Sequence, residues 1–313
     1  MTDPALAMKA RASAAAAPAR PAASNARPLE IEEPLNRYVV HPMSAVLVDL
    51  LAPTPVTPNM VSVLGVVMMA AACGCYAGMA WPWNALVGLL FHVAWHVFDG
   101  ADGQLARRTG KSSPIGEIVD GVCDHVAHVI LYVVIALVLQ PTLGPWAFVA
   151  SAVSGVSRAL QAMSYETTRR NYRRWVYSVN WIRQDVGKAA RTGGRFSRMG
   201  AALAGLYLAA ARWVRADDAR IDALMSRLVA DERKAAAARS LYQAEMQPQV
   251  KRASLLSTNW ETLGVAASFL AGSPLWFLLF QAVALNAVMA WSVGSQTRSY
   301  ARLAGKLEAL ERG

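Results

Sequence analysis

The chain has 313 residues, of which 55% are hydrophobic, and it carries a formal net charge of +10. This combination is unusual for a water-soluble globular protein and typical of a membrane protein whose basic segments face the cytoplasm. The three cysteines, Cys73, Cys75 and Cys123, match no zinc-binding spacing and imply no disulfide framework.

The N-terminal region precedes the first long apolar segment. Residues 1–33 are rich in alanine and proline and lack the large apolar side chains of a core, so we predict a disordered tail without a signal peptide. Residues 34–52 form a predicted amphipathic juxtamembrane helix, with an apolar side made by Leu35, Val39, Val46 and Leu50. A solvated lead-in to the first membrane helix remains the alternative.

Six segments are apolar over about the 20 residues that a membrane-spanning helix requires. They are residues 59–80, 83–106, 116–139, 146–165, 255–271 and 274–297. Their connections at 81–82, 140–145 and 272–273 carry no charge, whereas arginine and lysine lie at the opposite ends. The positive-inside rule therefore predicts an all-α integral membrane protein with both termini in the cytoplasm, four spans within residues 53–165 and two within residues 254–298. Tryptophans at the uncharged connections would form an aromatic belt: Trp81, Trp83, Trp146 and Trp276.

The region after the fourth span is strongly basic. Residues 164–252 contain 18 lysines and arginines against 8 acidic residues, which equals the net charge of the whole chain. We predict a basic cytoplasmic helical insertion at 166–253, and a cytoplasmic C-terminal tail at 299–313. Arginines alternate with aromatic residues over 165–181, which suits lipid headgroups with aromatic anchors, whereas nucleic-acid binding is the less favoured interpretation. Residues 199–214 are apolar but too few to span, so we predict an interfacial or packed helix.

Four aspartates lie on the second and third predicted spans: Asp99, Asp102, Asp120 and Asp124. A carboxylate at membrane depth costs about 2.5 to 3.5 kcal/mol, so the group implies a counter-charge such as bound metal. Asp99 and Asp102 are three positions apart, while Asp120 and Asp124 are four apart, so each pair shares one helical face. If the two helices are antiparallel neighbours, the faces meet. Oxygen donors favour magnesium, manganese or calcium over zinc or copper.

Other polar residues near this group are candidates for substrate contacts. Arg107 would be able to clamp a phosphate, and Arg158 is the only charge well inside the fourth span. Arg158 either contacts a phosphate or carboxylate of a substrate or extends to the membrane interface. The histidines at 92, 96 and 128 are either metal ligands or, as we favour, hydrogen-bonded interior residues.

The aspartates belong to a longer pattern that runs from Asp99 to Asp124. It consists of DxxDGxxAR, eight intervening residues and then GxxxDxxxD. This pattern resembles the signature of the CDP-alcohol phosphotransferase family, and Thr57, Pro58 and Asn59 resemble the start of that family's first membrane helix. The resemblance implies a membrane enzyme of phospholipid synthesis that transfers a substituted phosphate group from a CDP-linked donor to a hydroxyl and releases CMP. It implies that the four aspartates bind two Mg²⁺ or Mn²⁺ ions and that Asp124 also acts as general base. It further implies a homodimer and a CDP site bordered by Gly103, Ala106, Arg107 and Gly116.

Residues 106–124 are most similar to choline- and ethanolaminephosphotransferases, which use a CDP-amino-alcohol and a diacylglycerol-like acceptor. Transfer from CDP-diacylglycerol to inositol, glycerol phosphate or serine remains an alternative, so the lipid is either acceptor or donor. A polytopic transporter with a buried Asp/His relay is a third hypothesis. We expect a bacterial inner (cytoplasmic) membrane location, an active site on the cytoplasmic side, and membrane lipids but no nucleic acid as partners.

Overall fold

The computed structural model describes residues 28–179 and 219–313, and all regular secondary structure within these ranges is helical. The all-α fold class is therefore confirmed for the part of the chain described. The apolar segment at 199–214, Trp181 and most of the N-terminal tail lie outside the described residues.

Ten α-helices follow one another within the described ranges. They are α1 His41–Leu51, α2 Pro58–Gly78, α3 Trp83–Arg108, α4 Pro114–Leu143, α5 Trp146–Tyr177, α6 Ala219–Ala230, α7 Glu232–Ala253, α8 Thr258–Leu270, α9 Leu275–Leu279 and α10 Leu285–Arg312. Short 3₁₀ helices cover Leu29–Ile31 and Ser254–Leu256, and a π-helical turn at Asn36–Val40 precedes α1. A second π-helical turn, Phe280–Ala284, joins α9 to α10 in one helical segment.

Local sequence signals set the ends of the helices that matter for the site. The Thr57 hydroxyl accepts a hydrogen bond from the Met60 amide at 3.4 Å and caps α2. The Ser113 hydroxyl accepts from the Gly116 amide at 3.0 Å and caps α4. Between α3 and α4, Gly110 has a φ of 67°, a left-handed conformation that glycine adopts without strain. This short turn makes α3 and α4 antiparallel.

An apolar bundle of α2, α3, α4, α5, α8 and α9 surrounds one core that includes Met69, Trp95, Leu131, Val265 and Phe277. Large apolar side chains also lie exposed on its outer faces, as membrane lipid requires. In the part of the chain that the structure describes, three helical segments are long and apolar enough to cross a membrane: Pro58–Gly78, Ile115–Leu143 and Leu275–Arg312. The prediction of six membrane spans is not confirmed. Helix α8 has only 13 residues, about 20 Å of helix, and α3 and α5 bury several polar side chains.

The four tryptophans predicted to lie at the membrane interface are at one end of the apolar bundle. All of them lie at helix ends and are largely exposed: Trp81, Trp83, Trp146 and Trp276. The turn between α3 and α4, with Arg107 and Arg108, lies at the opposite end. The aromatic and basic residues therefore separate along the bundle axis in the way that the sequence predicted.

A second, more polar layer is formed by α6, α7 and the C-terminal halves of α5 and α10. Its core includes Tyr172, Trp175, Met225, Tyr242 and Leu303. The interpretation of the aromatic residues of α5 as lipid anchors is therefore wrong for Tyr172 and Trp175, because both side chains are buried in protein. Ion pairs join the outer surfaces of this layer, namely Arg220 with Glu308, Arg227 with Glu311, and Arg302 and Lys306 with Glu245.

Two acidic residues of the segment that precedes α1 form hydrogen bonds with both the apolar bundle and the polar layer. Glu33 is buried, and its carboxylate accepts hydrogen bonds at 2.5 to 2.8 Å from Tyr165, Ser257 and Asn259. Glu30 accepts hydrogen bonds from residues of α5 and α7, namely Tyr172, Tyr177 and Gln243. The segment therefore connects the C-terminal half of α5, the middle of α7 and the start of α8.

Helix α1 lies against α3 beside the aspartates. Val48 is buried, and the Ser44 hydroxyl donates a hydrogen bond to the Val97 carbonyl at 2.8 Å. A Cβ atom at Gly100 would come 2.8 Å from the Ser44 Oγ, so this close approach requires glycine. On the other side Val46 and Leu50 are exposed, which agrees with an amphipathic helix.

Candidate active site

The four aspartates meet between α3 and α4. Asp99, Asp120 and Asp124 each offer a carboxylate oxygen, and these three oxygens lie within 4.8 Å of one another. The Asp99 side chain contacts that of Asp124, and Asp102 contacts Asp120. The antiparallel helix pair therefore brings together the two faces that the spacing predicted.

Asp102 is fixed by hydrogen bonds to both carboxylate oxygens. The Ser62 hydroxyl donates to Oδ2 at 2.5 Å, and the Gly103 amide donates to Oδ1. Ser62 lies on α2, so three helices contribute to the site. The sequence did not identify Ser62, because a single serine in an apolar span gives no signal of its partner.

The four carboxylates have no paired cation among the described residues, since no lysine or arginine forms an ion pair with them. So many carboxylates in a place of low dielectric constant require a counter-charge. All the donors are hard oxygens, which magnesium and manganese prefer. The residues present therefore fit a site for divalent cations.

The residues predicted to border CDP lie in the last turns of α3 and at the start of α4. Arg107 is exposed, Ala106 is half-buried, and Arg107 lines an open cleft between α1 and α3. A Cβ atom at Gly103 would lie 3.3 Å from the Arg107 Nη1, and one at Gly116 would lie 3.3 Å from the Ser113 Oγ. The glycines leave space beside the aspartates, and the Arg107 guanidinium is accessible to a soluble anion.

Arg158 is buried and engaged within the protein. Its Nε donates to the Glu261 carboxylate at 2.5 Å, its Nη2 to the Thr258 hydroxyl at 2.6 Å, and its Nη1 to the Leu256 carbonyl at 3.3 Å. The alternative that Arg158 extends to the membrane interface is wrong, because only 7% of the residue is exposed. A substrate contact by Arg158 remains a prediction, and the structure gives this guanidinium a partner on α8.

Sequence reasoning missed Glu261. It is the only charged residue within 255–271, as Arg158 is within 146–165. One negative charge in one predicted span and one positive charge in the neighbouring predicted span indicate an ion pair, so the sequence contained enough information to identify Glu261. Glu261 also accepts from the Tyr132 hydroxyl at 3.1 Å and lies 3.2 Å from the His128 Nε2.

The three histidines occupy interior positions. His92 and His96 are buried, and each lies within hydrogen-bond distance of the Thr262 hydroxyl, at 3.2 and 2.7 Å. His128 Nδ1 lies 2.8 Å from the Asp124 carbonyl oxygen. In the described part of the chain, the group able to hold a metal contains aspartates and no histidine. These contacts agree with the favoured interpretation of hydrogen-bonded interior residues.

Comparison with known proteins agrees with this geometry. The profile of the family described as CDP-alcohol phosphatidyltransferase matches residues 55–215, about half of the chain. Ethanolaminephosphotransferase 1 of Homo sapiens is 34% identical over 106 residues, which cover 29% of this chain and 26% of the relative. The protein of that name from Pongo abelii is 32% identical over 117 residues (33% and 29%), and cholinephosphotransferase 1 of Gallus gallus is 33% identical over 81 residues (25% and 24%).

The matched region contains the aspartates, and this chain spans less than a third of the length of those relatives. The family match extends from before α2 to beyond α5, so it includes every helix that contributes to the acidic site. The chain therefore belongs to the CDP-alcohol phosphatidyltransferase family, whose members are transferases of substituted phosphate groups.

Proposed function

We propose that this protein is a membrane-embedded phosphotransferase that moves a substituted phosphate group from a CDP-linked donor to an acceptor hydroxyl and releases CMP. The observation that carries the proposal is the convergence of Asp99, Asp120 and Asp124 within 4.8 Å without a paired cation. These residues and Asp102 stand at the family's signature positions.

Each acidic residue has a proposed role. Asp99, Asp102, Asp120 and Asp124 would hold two Mg²⁺ or Mn²⁺ ions, which neutralise the diphosphate and polarise the phosphorus when bound. Ser62 and the Gly103 amide hold Asp102 in one orientation. By family resemblance, Asp124 also takes the proton of the acceptor hydroxyl.

The nucleotide would bind at the open end of the site. The exposed Arg107 guanidinium can donate two hydrogen bonds to one phosphate. Gly103, Ala106 and Gly116 leave room for the CDP beside it. Arg158 acts through Glu261 and holds α5 against α8 next to the aspartates.

The names of the relatives support an amino-alcohol donor. The relatives named above are ethanolamine- and cholinephosphotransferases. We therefore propose CDP-ethanolamine or CDP-choline as donor and a diacylglycerol-like lipid as acceptor. The reverse polarity, with CDP-diacylglycerol as donor and a small alcohol as acceptor, is the alternative outcome of the test below.

We propose six membrane crossings, with both termini and the aspartates on the cytoplasmic side. The separation of exposed tryptophans from Arg107 and Arg108 along the bundle supports this orientation. The relatives named above are eukaryotic, so they give the predicted bacterial inner membrane no support. A homodimer remains a proposal from family resemblance.

CMP release by purified full-length protein tests the proposal. Radiolabelled CDP-choline, CDP-ethanolamine and CDP-diacylglycerol are supplied with Mn²⁺ or Mg²⁺, and with diacylglycerol or small alcohols as acceptors. We expect CMP from an amino-alcohol donor, no turnover by Asp124→Asn with retained donor binding, and activity in the control Glu117→Gln, which changes an exposed carboxylate on the same helix. Absence of CMP with every donor and metal would refute the function, and an active Asp124→Asn would refute the base.

A further inference from the structure

Helix α5 continues past the apolar bundle and carries two arginines on one face. Arg169 and Arg173 line a narrow cleft that α5 forms with the N-terminal segment at Pro28, Ile31, Glu32 and Asn36. The cleft is narrow, and the volume that a water molecule can enter is about 10 Å³. Because the two arginines are four positions apart, they lie one above the other and both can address a single ligand.

The guanidinium groups in this cleft have unused hydrogen-bond donors. The Nε atoms of Arg169 and Arg173 are both buried and have no hydrogen-bond partner among residues 28–179 and 219–313. Arg169 Nη2 donates to Glu166 at 2.9 Å, but Arg173 forms no ion pair within the described ranges. Glu32, the carboxylate that lines the cleft, lies 2.8 Å from His41. Buried donors without acceptors are costly, so Arg173 lacks a partner that its environment requires.

The charge around Arg173 is positive. Burial lowers the pKa of Arg173, and repulsion from Arg169 lowers it further. Arg170 and Arg107 act in the same direction, and Glu166 opposes them. A group of cations with unsatisfied N–H donors at fixed positions has the properties of an anion site.

We propose that Arg169 and Arg173 bind a phosphate group in this cleft. A phosphate accepts several hydrogen bonds at once and matches the planar donor geometry of guanidinium. The phosphate comes either from an anionic lipid headgroup at the membrane surface or from a soluble molecule. None of the aspartates lines this cleft, and Arg173 lies fifteen residues beyond Arg158 on the same helix, about 22 Å away along its axis. The proposal does not rest on the proposed function, since binding is measured without turnover.

The test uses the full-length protein with EDTA present, so that no metal at the aspartates retains phosphate. Thermal unfolding is followed by tryptophan fluorescence in neutral detergent with increasing inorganic phosphate, against sodium chloride of equal ionic strength. In parallel, the protein is placed in phosphatidylcholine nanodiscs with increasing phosphatidic acid. The variant is Arg173→Gln, and the control is Arg174→Gln, an exposed arginine of the same helix whose guanidinium lies 4.4 Å from the Trp175 ring.

We expect a saturable rise in Tm for the native protein and for Arg174→Gln. Arg173→Gln should need about tenfold more of the anion, the usual effect of one lost charge-assisted hydrogen bond. A rise with inorganic phosphate identifies a soluble source, whereas a rise with phosphatidic acid alone identifies a lipid headgroup. Without the anion, Arg173→Gln should be at least as stable as the native protein, because it removes a half-buried charge that has no ion pair among the described residues.

The proposal is overturned if neither anion raises the Tm of the native protein, or if Arg173→Gln responds as the control does. If Arg173→Gln fails to fold, Arg173→Lys replaces it, because lysine keeps the charge and loses the two-pronged donor geometry. Weaker phosphate binding by that variant supports the site, and unchanged binding overturns it.

Discussion

The buried pair of Arg158 and Glu261 gives the sharpest test of how the structure is stabilised. We consider Arg158→Gln, Glu261→Gln and the double variant, which replaces two charges by two neutral amides. Each single change leaves one buried charge without its partner, since the two residues are only 7% and 1% exposed. The double change leaves no charge.

The expected magnitudes follow from this burial. Removing one partner of a buried ion pair costs about 3 to 5 kcal/mol. At about 2 to 4 °C per kcal/mol, each single variant should lose roughly 6 to 20 °C in Tm. The double variant should be more stable than either single variant, so the coupling free energy should exceed the loss in either one, about 3 kcal/mol or more.

The assay is thermal unfolding in detergent micelles, with Arg298→Gln as the control. Arg298 is exposed on α10 and should change stability by no more than about 0.5 kcal/mol. Near-native stability of both single variants, or additive losses in the double variant, would contradict the buried pair. A raised KM of Arg158→Gln for one substrate with unchanged Tm would instead support a substrate contact.

Three further predictions concern the metal site and the polar layer. Ser62→Ala should raise the Mn²⁺ concentration for half-maximal CMP release about 10- to 100-fold, because the oxygen of Asp102 that accepts from Ser62 loses its orientation; an unchanged metal titration would contradict this role. EDTA should abolish CMP release and added Mn²⁺ should restore it, whereas turnover that persists in EDTA would exclude the metal. Partial burial raises the pKa of Glu245, but hydrogen bonds from Lys306 and Arg302 outweigh it and hold that pKa below 4.5. The stabilisation is therefore complete above about pH 4.5 and declines as the pH falls through the lower folded value. In a plot of Tm against pH, Glu245→Gln should reduce the fall in Tm at acid pH. An unchanged fall would contradict the role of Glu245.

Local patterns in the sequence predicted the aspartate site well. Asp99, Asp102, Asp120 and Asp124 are charges in apolar helices at spacings that fix their faces, and the turn near Gly110 determines that the helices are antiparallel. These features depend on neighbours within a few turns. The hydroxyl of Ser62 was not predicted, because its contact with Asp102 joins residues 40 positions apart.

Composition also gave one wrong environment, and it predicted the ends of two membrane spans without predicting where their helices end. Tyr172 and Trp175 are amphipathic side chains that suit a membrane interface or a protein core equally, and the arginines between them do not distinguish the two. The predicted fourth and sixth spans ended at 165 and 297, where apolar character stops, whereas α5 and α10 extend to Tyr177 and Arg312. Helical structure persists there because the polar layer buries one side of each helix.

Helix α5 is one uninterrupted rod of 32 residues, about 48 Å long. Its inner half holds Arg158 beside the aspartates, and its outer half holds Arg173 in the cleft. Since the rod has no break at the membrane boundary, a tilt imposed at one end moves the other end with it. A ligand that shifts the outer half of α5 in the cleft would therefore also move Arg158 beside the aspartates.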